Sequence, residues 1–389
     1  MKNKPQNIKV ALVHDYLCEY GGAEMVVEDL HTMFPQAPIY TFYFDPKGLN
    51  YHYKRIKEWN IVTSIYQKIP FARRSLSPSR LIAPFIFQRF DLSSFDVVIS
   101  SSNHHSAKAV KTMPHTLHLS YIHTPPKMLY GYTTSFNYKK HWYTRIGAEV
   151  ANHLLRVSDY RTAQNPTILI ANSQTVQKRI KKFYRRDATV VYPGVDLDAY
   201  RQVKKTDGEY FLSLNRLVKG KGTEIVVSAC TALNIPLKVA GSGPELEKLK
   251  SIAGPTIEFL GHVKEEEKPA LFANAKALIV AAEQEDFGIT PIEAMAAGTP
   301  VIAARSGGFL ETIIEGVTGE FFYVPQDLNN TKEYVNSQAL SELKKVLKSF
   351  NTKKYKGDNC RKQAEKFSKQ KFRQNILNLI DKNFPLPQS

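Results

Sequence analysis

Along the second half of the chain, short apolar runs alternate with stretches of helical length. The runs cover 210–214, 237–240, 257–260, 277–282 and 300–304, and the stretches between them cover 222–233, 244–252, 265–274 and 291–297. Runs this short and this uniformly apolar predict strands buried on both faces. Repeated strand–helix alternation predicts a parallel, doubly wound sheet. The first half follows the same plan less regularly, with strands predicted at 9–14, 39–44, 96–101, 117–122, 167–171 and 189–192. Met25, Val26, Leu30 and Met33 fall at helical spacing, with Asp29 among them, and predict a helix over 22–34. The turn sequence Tyr192-Pro193-Gly194-Val195-Asp196 is the natural hinge. The chain therefore divides into two Rossmann-like α/β domains, 1–195 and 196–389. The Lys-rich helical tail, about 365–389, is expected to pack back on the first.

Composition narrows the class. Hydrophobic residues make up 43% and charged residues 23% of 389, as in ordinary globular proteins. No apolar run approaches the roughly 18–20 residues that span a bilayer. The start, Met1-Lys2-Asn3-Lys4-Pro5, passes into a strand without a signal-peptide core, so a cytoplasmic location is expected. Cys18, Cys230 and Cys360 lie far apart and read as reduced thiols. The net charge of +17 is uneven: residues 1–200 carry +12 and the remainder +5. A basic first half points to an anionic partner, which charge alone does not identify.

The densest chemistry is the stretch from Glu285-Asp286-Phe287-Gly288-Ile289-Thr290-Pro291 to Glu293, closed by Gly298. Thr290, Pro291 and Glu293 predict an N-cap, a first helical residue and a capping box. A helix starting there, just beyond a parallel strand, offers free N–H groups and a dipole to a phosphate. Taken alone, Glu293 is equally well a cap. Arg216 and Lys221 follow the 210–214 strand in a Gly-containing loop, where two cations can meet a diphosphate or simply face solvent. Gly241-Ser242-Gly243-Pro244-Glu245 and Ser306-Gly307-Gly308 follow two further strands. Four strand ends with polar or Gly-rich loops predict one ligand shelf.

In this order the motifs Arg-x4-Lys, Gly-x-Gly-Pro-Glu, Glu-x7-Glu with Phe-Gly inside, and Gly-Thr-Pro-Val-Ile resemble the retaining glycosyltransferases of family 4. The resemblance spans about residues 8–325. It implies a GT-B fold, two Rossmann-like domains with the active site in the cleft between them, and a nucleotide-sugar donor as substrate. It makes Arg216 and Lys221 the partners of the donor diphosphate, Glu285 the contact to the sugar hydroxyls, and Glu293 the acceptor for the ribose diol. Backbone groups at Gly241, Gly243, Phe287, Gly288, Ile289 and Thr290 would complete the donor site. In the first domain, Gly21-Gly22-Ala23-Glu24 resembles the family's Gly-Gly loop, which places Gly22 near the donor phosphate and Gly21 and Glu24 near the acceptor. His123, in Tyr-Ile-His-Thr-Pro-Pro, resembles the active-site histidine. Asp15, preceded by His14, is a further acceptor candidate.

His-Thr-Pro at 123–125, Asp-Phe-Gly-Ile at 286–289 and Phe-Asp-Val-Val-Ile-Ser-Ser-Ser at 95–102 resemble bacterial mannosyltransferases that use GDP-mannose. Tyr-Pro-Gly-Val-Asp at 192–196 departs from their Tyr-Pro-Pro-Val-Asp, so a UDP-sugar stays open as donor. The resemblance implies a glycan or polyprenyl-linked lipid acceptor, cell-surface polysaccharide or glycolipid assembly, and no cofactor or catalytic metal. Asp196-Leu197-Asp198 reads as a turn or cap rather than a metal-binding pair, and His115, His118 and His123 fit no zinc spacing. The segment 66–89 mixes Lys68, Arg73, Arg74, Arg80 and Arg89 with Phe71, Leu76, Leu81, Phe85 and Phe87. That composition suits an interfacial helix on anionic lipid, or solvated helices framing an acceptor site. Two rivals remain. A nucleotide-sugar 2-epimerase would share the fold but form no glycosidic bond, and a basic nucleic-acid or scaffold protein would need a recognition motif that is missing, so no nucleic-acid partner is expected.

Overall fold

A computed structural model describes residues 8–104, 106–132, 142–325 and 332–384. The chain forms two compact units. One takes in the chain up to Gly194 and again from Lys369 onward, and the other runs from Val195 to Ser368.

The first unit is built on a seven-stranded sheet: β1 (Val10–Leu17), β2 (Ile39–Phe44), β3 (Ile61–Thr63), β4 (Val97–Ser102), β5 (Leu117–Ile122), β6 (Ile168–Ala171) and β7 (Ala188–Val190). Their order across the sheet is β3-β2-β1-β4-β5-β6-β7, and every pair is parallel. Side chains alternate between faces with period two. Val10, Leu12, Val97 and Ile99 enter one core, whereas Ala11, Val13 and Val98 enter the other. The final helix, Lys369–Asn383, belongs to this unit, filling the first core with Phe372, Ile376 and Ile380. Its Arg373 donates to the buried Asp29 at 2.7 Å. Gly194 explains the departure from Pro-Pro at the hinge. A Cβ there would lie 2.7 Å from the Lys369 backbone and from an Asp29 oxygen.

The second unit has six strands: β8 (Tyr210–Leu214), β9 (Leu237–Ala240), β10 (Ile257–Gly261), β11 (Ala275–Val280), β12 (Val301–Ala304) and β13 (Gly319–Phe322). The order is β10-β9-β8-β11-β12-β13, again all parallel. Helix Lys332–Ser349 covers one face through Ala339, Leu343 and Leu347. Both sheets reverse strand order once, between β1 and β4 and between β8 and β11. In open α/β sheets the carboxyl ends at such a reversal are where ligands bind.

Two expectations change. The segment 66–89 is not one interfacial helix but short turns at Ile65–Lys68, Ala72–Ser75, Leu76–Ser79 and Ala83–Phe87. Pro70 separates the first two turns, and Pro84 sits in the first turn of the last, where its missing N–H is tolerated. The edge strands β3 and β13 went unpredicted because Ile61-Val62-Thr63 and Gly319-Glu320-Phe321-Phe322 are too short or too mixed to stand out as apolar runs. Among the described residues, no helix is long and apolar enough to cross a membrane.

Candidate active site

In the second unit, the loops after β8, β9, β11 and β12 are packed edge to edge. Leu217 N–H donates to Ser242 O at 2.9 Å, and Glu245 N–H to Leu217 O at 3.1 Å, joining the first two loops. A Cβ on Gly241 or Gly243 would sit 1.9 Å from Asn215 O or 2.3 Å from Leu217 O, so both positions require glycine. Their φ angles of 132° and 155° lie where side chains rarely go. Gly307 approaches Glu285 in the same way, and Gly308 N–H donates to Glu285 O at 2.8 Å. The predicted shelf is present, and glycine backbone contacts between loops hold it together.

On this shelf Lys221 Nζ donates to Glu285 Oε2 at 2.8 Å, both side chains being partly exposed. Sixty-four residues of sequence separate them, and the β8–β11 neighbourhood brings them together. Arg216 is exposed at the start of the same loop. Phe287 is buried and packs edge-on against Phe367 at 5.6 Å.

The helix after β11 starts earlier than predicted. It spans Ile289–Ala296 with Gly288 as N-cap at φ 92°, so Thr290 lies inside the first turn and Glu293 is not a capping-box residue. The capping signal misled because Gly288 already makes the turn, its αL backbone fitting where a Cβ would lie 2.9 Å from Phe309. Gly298, at φ 84°, ends the helix as predicted. Released from capping, Glu293 is buried and accepts from Tyr200 Oη at 3.0 Å, with Lys268 Nζ at 3.6 Å. Burial raises its pKa, and the Lys268 charge offsets this only in part. Neither Tyr200 nor Lys268 was predicted, because each lies outside any motif.

In the first unit, the carboxyl ends of β1, β4 and β5 gather His14, Asp15, Ser101 and His123, all buried. Asp15 is not open to an acceptor. Its two oxygens take the N–H groups of Asn103 (2.9 Å), His104 (2.6 Å), Ser106 (3.1 Å) and Ala107 (2.6 Å), clasping the loop after β4. Burial opposes its charge, yet the neighbouring histidines and these donors lower its pKa. Gly21 caps helix Gly22–Met33, and Glu24 Oε2 accepts the Gly21 N–H at 2.8 Å. Glu24 Oε1 meets His14 Nε2 at 3.2 Å, so this carboxylate too is engaged inside the protein. Gly22 opens that helix, where the first N–H groups lack intrahelical partners. His14 and Asp15, with Arg73, Arg80 and His104, line a cavity of about 240 Å³. Asp196 accepts the Asp198 N–H at 3.3 Å, which is the predicted turn.

Two units of this topology make the GT-B glycosyltransferase fold. HepE of Anabaena in complex with UDP superimposes with a TM-score of 0.66 at 16% identity, over 96% of this chain and all of that one. Sucrose-phosphate synthase of Thermosynechococcus elongatus gives 0.70 at 18%, over 96% and 99%. Residues 20–199 match the model of Glycosyltransferase Family 4, and 197–356 match that of Glycosyl transferases group 1. The α-1,3/1,6-mannosyltransferase ALG2 of Dictyostelium discoideum is 24% identical over 98% of this chain and its own full length. The chain belongs to the family 4 glycosyltransferases.

Proposed function

We propose that this glycosyltransferase moves a hexose, with mannose preferred, from a nucleotide-sugar to a glycan or lipid-linked acceptor with retention at the anomeric carbon. The observation that carries the reading is the Lys221–Glu285 pair on the glycine-knitted shelf: a cation for the diphosphate beside a carboxylate for the sugar. The preference for GDP-mannose rests on the mannosyl motifs and the ALG2 relative. UDP, which HepE binds, is the alternative nucleotide.

In this mechanism the bond from the anomeric carbon to the diphosphate oxygen breaks while the acceptor oxygen bonds to the same face. A phosphate oxygen takes the acceptor proton. Arg216, Lys221 and the N–H groups opening helix Ile289–Ala296 stabilise the departing charge, so neither a metal nor a carboxylate nucleophile is needed. The reading places the first unit against the cytoplasmic face of an anionic membrane, in assembly of cell-surface polysaccharide or glycolipid.

The test is a thermal-shift panel of GDP-, UDP- and ADP-sugars with EDTA present. A donor at 100 times its Kd should stabilise the fold by about 2.7 kcal/mol. NMR of the product should then show the donor's anomeric configuration. No shift with any donor, or an inverted product, overturns the reading.

A further inference from the structure

Four side chains in the first unit form a line: Glu24 Oε1 to His14 Nε2 at 3.2 Å, His14 Nδ1 to Ser101 Oγ at 3.2 Å, and Ser101 Oγ to His123 Nε2 at 2.9 Å. We infer that Ser101, His14 and Glu24 are positioning residues that fix His123 as a neutral ring with its proton on Nδ1, a hydrogen-bond donor to substrate and not a base. This rests on the reading of His123 as the histidine that meets substrate.

The proton positions follow from the partners. His14 Nδ1 also lies 3.1 Å from the Ser101 carbonyl, which can only accept. That nitrogen therefore carries a proton. Its other nitrogen faces a carboxylate, which likewise accepts only. His14 is thus an imidazolium bonded at both ends, a charged link between helix Gly22–Met33 and β4. Burial disfavours the charge, but the bond to Glu24 and the charges of Glu24 and Asp15 outweigh it and raise its pKa. Glu24 shifts the opposite way, burial being outweighed by His14. The two directions agree.

Ser101 Oγ faces the N–H of His14, which cannot accept, so the acceptor that its buried hydroxyl hydrogen meets is His123 Nε2. That nitrogen must then be the lone-pair nitrogen. The His123 ring is buried and its pKa is pushed down to about 3, first by burial and then by the His14 charge. The edge-on contact with Tyr121, at 5.1 Å, fixes the ring plane. Tyr121 is itself held by a 2.8 Å bond from its hydroxyl to Val191 O. The remaining polar group of His123 is the Nδ1–H, suited to a sugar hydroxyl or phosphate oxygen. Ionisable groups around His14 are Glu24 on the helix, Asp15 and Tyr16 on its own strand, Cys18 and Glu19 just beyond that strand, His104 beside Asp15, His123, and Arg73 and Arg80 across the cavity.

Nitrogen-15 NMR of the histidine-labelled full chain tests this, with His123 and His14 assigned from His123→Gln and His14→Gln. At pH 7, His123 should show protonated Nδ1 and bare Nε2, and His14 should show two protonated nitrogens. In Ser101→Ala the His123 signals should move to a tautomer mixture. The kcat should fall about tenfold, the loss of one hydrogen bond, with donor KM within about twofold. Ser101→Thr, which keeps the hydroxyl, should restore both. Should Ser101→Ala fail to fold, Ser101→Cys, whose thiol is a far weaker donor, should mix the His123 tautomers in its place. A His123 protonated on Nε2, a neutral His14 in the unmodified protein, or an unchanged tautomer in both variants overturns the inference. Full transfer by His123→Gln would instead remove His123 from the reaction while leaving its tautomer as described.

Discussion

Lys221 and Glu285 meet at 2.8 Å across the ends of β8 and β11, each satisfying the other's charge while remaining partly exposed. An exposed pair of this kind contributes about 0–1 kcal/mol to folding. On the function proposed above its value lies in positioning: the donor would find a cation and a carboxylate already oriented. Glu285→Ala should therefore leave the thermal midpoint within a degree or two and cut transfer by about 100-fold or more. Lys221→Ala should weaken nucleoside diphosphate binding by about tenfold, read by calorimetry. Full activity in the first variant would remove Glu285 from the site, and unchanged affinity in the second would remove Lys221.

Glu293 presents a different balance. Tyr200 and Lys268 hold its carboxylate in a buried position where its pKa is raised, mainly by burial. Removing the Lys268 charge deprives the carboxylate of its main compensation, so Lys268→Met should raise the Glu293 pKa further and weaken nucleoside binding most below neutral pH. Tyr200→Phe removes one hydrogen bond and should cost about 1–1.5 kcal/mol of stability. Calorimetry with the nucleoside alone, at pH 6 and 8, separates the ribose role expected of Glu293 from diphosphate binding. Equal affinities for Lys268→Met and the unmodified chain at both pH values would reject it.

The parallel, doubly wound plan, most of the strands and the Gly-rich loops were legible because fully buried parallel strands and Gly-rich strand ends leave plain marks on a sequence. The partnerships were not. Asp15 looked like a ligand group because an acidic residue after a strand often is one. Only the fold shows four backbone N–H groups converging on it. Glu293 looked like a capping residue three positions after Thr290, whereas the positive φ of Gly288 had already set the helix start. Ser101 carried no signal at all, since its role depends on residues 87 and 22 positions away. Local pattern reveals elements and loops. Hydrogen-bond partners across strands require the register.

Asp15 gives a stability prediction in place of the acceptor role. Asp15→Ala leaves four N–H groups of the loop after β4 without their acceptor, those of Ser106 and Ala107 buried, and should cost about 3 kcal/mol or more. Hydrogen exchange should quicken at His104, Ser106 and Ala107 before anywhere in the second unit. Unchanged exchange there would show that the loop is held by something else.

His118 predicts acid sensitivity. It is buried, pairs with Ser100 Oγ at 2.9 Å, and its pKa is pushed down to about 3, chiefly by burial. A histidine whose folded pKa lies below its unfolded value of about 6.5 lowers stability as pH falls, because the unfolded chain binds the proton first. Between pH 6.5 and about 4.5 the unfolded chain takes up a proton on His118 that the folded chain does not. His118 should contribute a loss of about 1.4 kcal/mol per pH unit in that window. His118→Gln should flatten the slope of stability against pH by that amount, whatever its stability at pH 7. An identical slope would mean that His118 titrates in the folded protein.

From Trp59 to Phe90 the chain holds five cations and no acidic residue. Within it Ile65 is 65% exposed, Phe71 77% and Phe85 64%. Phe71 also sits at φ 57°, a conformation costing a residue with a side chain about 1 kcal/mol. A residue kept for folding would not be both strained and exposed, whereas one kept for an anionic lipid surface could be. Phe71→Asn should therefore change two measurements in opposite directions. The fold should gain up to about 1 kcal/mol, because asparagine accepts the left-handed region. Binding to phosphatidylglycerol-containing vesicles should weaken by about tenfold, the burial of one aromatic ring, and more when combined with Phe85→Ser. Lost stability in Phe71→Asn, or equal binding of the unmodified chain to anionic and zwitterionic vesicles, would assign the ridge to the fold and not to the membrane.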